Sequence, residues 1–71
     1  MDDFLKYLEC RYNEKRDEVV NWTIDALGNE YLNLADQLYN LEEAPEPKWY
    51  ARIALLQTEL QAVMLVMNER S

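Results

Sequence analysis

Histidine is absent from this 71-residue chain, and cysteine and glycine occur once each. Without histidine there is no base for Ser–His or Cys–His nucleophilic catalysis. A single cysteine, Cys10, excludes an internal disulfide framework and a cysteine-based zinc site. No general base can be named for Cys10, so it is expected to be a small helix-packing residue. One glycine and two prolines are too few for the tight turns of a β-sandwich. Long apolar runs are missing too: the longest, Ala62 to Met67, is flanked by Gln61 and Asn68, well short of the ~18 residues a membrane helix needs. The opening Met-Asp-Asp-Phe lacks the basic region of a signal peptide. A reduced, cytoplasmic setting away from membranes is expected. Basic residues are scarce, seven against fourteen acidic, giving a net charge of −7. Such a surface does not suit direct binding to a nucleic-acid backbone, and it suits basic protein partners.

What is present is apolar and helical. Hydrophobic residues make up 49% of the chain, too many for a disordered tail. One domain of this size rarely gains more than ~3–5 kcal/mol from its core, so a homo-oligomer is expected. Pro45 and Pro47, in Glu42-Glu43-Ala44-Pro45-Glu46-Pro47, form the one strong helix breaker. Downstream, Trp49, Ile53, Leu56, Leu60, Val63 and Met67 alternate in steps of 4 and 3, one stripe of an α-helix. Upstream, Val20, Ile24, Leu27, Tyr31, Leu34, Leu38 and Leu41 do the same. The residue numbers of facing members, from Leu41 with Trp49 to Ile24 with Met67, add to 90 or 91. That constancy predicts an antiparallel helical hairpin with knobs-into-holes packing.

The expected fold class is therefore all-α: a helical hairpin with an additional amino-terminal helical segment, assembled as a helical-bundle oligomer. Residues 1–71 form a single domain, with a packing segment over 1–12, a long helix over 13–43 and a second hairpin helix over 47–70. Gly28-Asn29 is the place for a kink, at a propensity cost of ~1 kcal/mol. Asp2 or Asp3 caps the first segment, and Phe4, Leu5, Leu8 and Tyr12 give it an apolar face. Residues 13–18, Asn-Glu-Lys-Arg-Asp-Glu, hold no apolar group and read as a solvated bridge. In the hairpin register, partners for residues 4–12 would lie beyond Ser71. Phe4, Leu5 and Leu8 must then fold back across the hairpin or meet another subunit. The second helix is apolar most of the way round, with Gln57, Gln61 and Asn68 as its continuous polar strip, and belongs in a core.

Four clusters carry candidate chemistry. Lys48, Trp49, Tyr50 and Arg52 follow Pro47 at a helix start, where free N–H groups favour phosphate and an aromatic ring can stack on a base. They are the ligand-binding candidates for a small nucleotide. The alternative is that Trp49 closes the hairpin against Leu41 while Lys48 and Arg52 stay solvated. Arg11, Tyr12, Lys15 and Arg16 form a basic cluster that either binds an anion or pairs with Glu14, Asp17 and Glu18 along one helix. Phe4, Leu5, Leu8 and Trp22 are the interaction anchors, since apolar and aromatic side chains left in solvent mark partner surfaces. Tyr7 and Tyr39 also lie off the stripes, and Met64 and Met67 either fill the core or form an adaptable surface. Glu14-x-x-Asp17 resembles half of the paired acidic motif with which helical phosphohydrolases of the MazG type hold magnesium. No Glu-x-x-Glu pair accompanies it on a helix face, since Glu43-x-x-Glu46 spans the Pro45 breaker, and no metal or cofactor is expected.

Thr58, Leu60, Gln61, Met64 and Asn68, with Arg70 near the end, fall at spacings that resemble the second hairpin helix of phage-encoded anti-CBASS sponge proteins. The likeness spans Leu34 to Arg70. Glu59 stands where that family has lysine, and Val66 where it has tryptophan. The resemblance implies a small helical oligomer that sequesters a cyclic nucleotide signal, and it transfers no binding residue. The leading functional expectation is a small acidic, non-enzymatic interaction protein, a phage or mobile-element inhibitor that binds a host protein. An oligomeric sponge for a cyclic or linear nucleotide is the alternative, and a metal-dependent nucleotide phosphohydrolase the third.

Overall fold

A computed structural model describes residues 2–43 and 46–70. Three α-helices account for most of them: α1 (Asp2–Val19), α2 (Ile24–Glu43) and α3 (Tyr50–Arg70), with a 3-10 turn over Pro47–Trp49 before α3. No strand occurs among the described residues. Both α1 and α2 pack on α3, which is thus the central element. The body measures 36 × 28 × 14 Å.

Apolar periodicity, not propensity alone, places α2 and α3 side by side. Leu27 and Leu34 of α2 and Leu56, Val63 and Val66 of α3 are buried in one cluster with Val19 of α1. Tyr31, Leu38, Leu41, Leu60 and Met67 pack around it. All but Val19 and Val66 are stripe positions, from Leu27 and Leu56 onward; Val66 and the fully buried Ala62 lie off the stripe of α3. Trp49, at the far end of the stripe, is exposed and stands outside the cluster.

The upstream helix does not run unbroken over 13–43. It stops at Val19, and a new helix begins at Ile24. The Trp22 N–H donates to the Val19 carbonyl at 3.0 Å, closing a tight turn. Thr23 then caps α2: its Oγ1 accepts from the Ala26 N–H at 3.1 Å, and its carbonyl accepts from the Leu27 N–H at 2.9 Å. Threonine here satisfies one of the donors a helix start leaves orphaned. Asp25 in the first turn adds favourable charge. Gly28 lies inside α2 on the ordinary negative-φ side, so the chain does not use its conformational freedom.

The break sends α1 back along α3. Arg11 reaches Glu59, and Arg70 donates to the Val20 carbonyl at 2.6 Å, so α1 and α3 ascend together. That last bond satisfies a carbonyl just past the end of α1, where intrahelical partners run out. Residues 13–18 are accordingly not a solvated bridge; they are helical, and Lys15 among them is buried. Cys10 is exposed rather than packed, because it falls on the outer side of α1. Asp3 is exposed within α1. Pro45 and the Asp2 side chain, candidates for breaker and cap, lie outside the described residues. Pro47 opens the 3-10 turn, with extended Glu46 before it (φ −126°, ψ 149°) and the Trp49 N–H donating to the Glu46 carbonyl at 2.8 Å.

Candidate functional site

Where α1, α2 and α3 converge, one charged side chain is nearly removed from water. Lys15 is 5% exposed. Its Nζ donates to Glu30 of α2 at 2.5 Å and lies 4.0 Å from Glu59 of α3 and 3.8 Å from Glu18. It also stands 5.9 Å from the Trp22 ring centroid, a cation–π contact. Arg11, one turn earlier on α1, donates to Glu59 at 3.4 Å and to Glu14 at 3.3 Å. Burial works against the Arg11 charge, but the hydrogen bond and charge of Glu59, with Glu14 and Tyr7, outweigh it and raise its pKa above the ordinary arginine value. No buried polar side-chain atom among the described residues lacks a partner.

Two members of the basic cluster, Arg11 and Lys15, are thus taken up by internal pairing, and Arg16 is not among these pairs. Arg11–Glu14 and Lys15–Glu18 are the one-helix pairs that its spacing suggests. The closer Lys15 partner, Glu30, comes from another helix, and sequence spacing carries no signal for it. A buried ammonium held by two carboxylates and an aromatic face fixes how the three helices meet. It leaves neither Lys15 nor Arg11 free for an outside anion.

The candidates of α1 divide. Phe4 and Leu5 are exposed, Leu5 by 64%, and Leu8 beside them is half-buried. Phe4 stacks on Tyr7, one turn on, with ring centroids 6.4 Å apart, and Tyr7 is itself exposed. An apolar end of α1 consequently faces solvent. Trp22 is not part of it: it sits in the turn before α2, packed against the core cluster and over Lys15.

Lys48, Trp49, Tyr50 and Arg52 are all exposed at the start of α3. The Lys48 ammonium stands 5.1 Å from the Trp49 ring centroid and pairs with Glu46 at 3.4 Å. The four residues share one end of the molecule, but no cavity encloses them or any other group among the described residues. Thr58 spends its hydroxyl on the Ala54 carbonyl at 2.8 Å. Glu14 is engaged by Arg11, and the described carboxylates form no group of three able to hold a metal ion. No described helix is long and apolar enough to cross a membrane. Comparison with known protein families, with curated proteins and with solved structures finds no match.

Proposed function

We propose that this chain is a non-enzymatic interaction protein that works by occupying the surface of another protein. Its size and acidity suit an inhibitor carried by a phage or mobile element. The supporting observation is the apolar end of α1: Phe4 and Leu5 remain in solvent, with Leu8 at their edge, although the rest of α1 is folded onto α3. A chain with so small a core has every physical reason to bury such groups, and Phe and Leu at a helix end serve as anchors for a partner's groove. The α2–α3 pair is the rigid base: an antiparallel hairpin in which Leu34 faces Leu56 and Leu27 faces Val63.

Capture from extracts of the source organism tests the proposal when wild-type protein is compared with Leu5→Glu. A protein retained by the wild type and lost with Leu5→Glu, at unchanged helix content, is the expected result. Equal capture by both forms would remove the α1 end from the function. Exposed Trp49 and Tyr50 beside Lys48 and Arg52 support a second function, the sequestering of a nucleotide. A thermal-shift screen with linear and cyclic nucleotides reads it out, and no shift at millimolar ligand rejects it.

A further inference from the structure

The α2–α3 pair has a second broad side, turned away from α1. Glu30 and Glu59 meet the cations of α1 and so mark the covered side of each helix. At 100° per residue, Ile24, Gly28, Leu32, Ala35 and Tyr39 of α2 and Met64 of α3 lie 120–180° round from those two glutamates. The large side chains of this side stand in water: Ile24 is 52% exposed, Leu32 and Tyr39 65% each, and Met64 is exposed as well, while Gly28 and Ala35 between them are half-buried. Along α2 this apolar series is spaced 4, 4, 3 and 4, a second helical stripe beside the one that faces α3.

The chemistry of this side is unlike the rest of the molecule. Charged residues make up 30% of the chain. Yet between Ile24 and Tyr39 on α2, and between Ile53 and Asn68 on α3, this side carries only apolar, tyrosine and amide side chains among the described residues. Glu42 stands at one end, while Asp25 and Asp36 lie on the outer flank of α2. Gly28 sits in the middle of the stripe. A Cβ there would meet nothing within 4 Å, and its φ is ordinary, so neither space nor backbone within the protomer calls for glycine. A glycine inside a helix costs ~1 kcal/mol against alanine, and close approach of a neighbouring helix is what remains to require it.

We propose that this face binds a second copy of the same chain, forming a two-fold dimer whose centre is a four-helix layer of α2 and α3 from each protomer, with α1 on the outside. Two bodies of charge −7 each repel, and they meet at least cost across a face without acids. The area suffices: two helices ~30 Å long and ~10 Å wide present about 600 Å² per protomer, near the ~800 Å² per partner of a standard stable interface. A two-fold axis along the helices seats α3 of the second copy over α2. Met64 of the second copy then faces the gap beside Gly28, and the acidic flank of α2 meets the neutral Thr58–Gln61–Leu65 side of that α3. An axis across the helices would instead lay α2 on α2 and bring Asp25 near Asp36 of the copy, so charge favours the first arrangement. The inference stands apart from the role of the α1 end in binding a different protein.

Sedimentation equilibrium and light scattering on the full chain, between about 1 µM and 1 mM, test it in three forms: wild type, Leu32→Glu and Leu5→Glu. Leu32 and Leu5 are comparably exposed, and glutamate is a good helix former, so circular dichroism should show all three equally helical. The expected result is a dimer for wild type and Leu5→Glu, with the Leu32→Glu dissociation constant raised about 100-fold or more, as for loss of a central anchor joined to like-charge repulsion. A wild type that stays monomeric to 1 mM overturns the proposal. So does a Leu32→Glu dimer of unchanged strength, or dissociation caused by Leu5→Glu alone, which would move the self-contact to the α1 end.

Discussion

The side of the α2–α3 pair that α1 covers contains charges, whereas the side left open contains almost none. On the covered side, Lys15 and Arg11 descend from α1 onto Glu30 and Glu59. On the open side, Ile24, Leu32, Tyr39 and Met64 stand in water with amides between them. Burial therefore does not follow polarity here. A buried ion pair gains little net stability over a well-packed apolar substitute, because desolvation offsets the attraction. It does penalise misdocking heavily, since any sliding of α1 strands a charge. The covered side trades energy for a fixed arrangement, and the open side keeps an apolar surface whose energy is realised only on association.

Four single substitutions and one double variant test that contrast. The largest effect belongs to the apolar seam that both sides depend on: Leu27→Ala, at a fully buried site, should cost about 4 kcal/mol. That is comparable to the whole stability of a domain this small, so urea unfolding followed by circular dichroism should find the variant largely unfolded. Next comes Lys15→Ala, which leaves Glu30 and Glu59 facing each other without their ammonium; about 3 kcal/mol is expected in the same measurement. A double variant, Lys15→Ala with Glu30→Gln, should recover part of that loss. Strict additivity of the two changes would mean the pair is not coupled. Thr23→Ala removes the α2 cap and should cost about 1 kcal/mol, read as a lower melting temperature. Gly28→Ala is smallest and opposite in sign: the fold should gain about 0.5–1 kcal/mol, since its Cβ meets open space in the protomer. If Gly28→Ala lowers the melting temperature of dilute, monomeric protein, the glycine serves the protomer and the comparison between the two sides loses one of its supports.

How much was legible in the residues differs between α2 and α1. The stripe from Leu27 to Leu41 and its counterpart on α3 named the seam between α2 and α3, because burial of one helix face imposes a helical period, but not Val19, Ala62 and Val66, which are also buried. The same period concealed the end of α1. Val20 and Ile24 keep its phase across the turn, yet both are exposed and Asn21-Trp22-Thr23 interrupts the helix. Threonine ahead of Ile24 and Asp25 is a helix-start signal, and it outranked the continuing apolar spacing. Gly28, the more conspicuous breaker, lies within α2. On the candidate sites, the exposure of Lys48 and Tyr50 follows from their place at a helix start. The absorption of Lys15 by Glu30 could not be read from the chain, because its partner lies on a different helix.

The sequence alone determined that this protein is helical, that Leu27, Leu34, Leu56 and Val63 are inside it, and that its surface is acidic. Those properties depend on composition and on neighbours three and four residues away, which every helix shares. Only the tertiary structure decided that α1 turns back at Thr23 to lie along α3, that Lys15 becomes the buried charge where three helices meet, and that one broad side of α2 and α3 is left uncovered. Each of these depends on which faces meet once the chain reverses, and that choice is made by the summed burial of all three helices rather than by any local pattern.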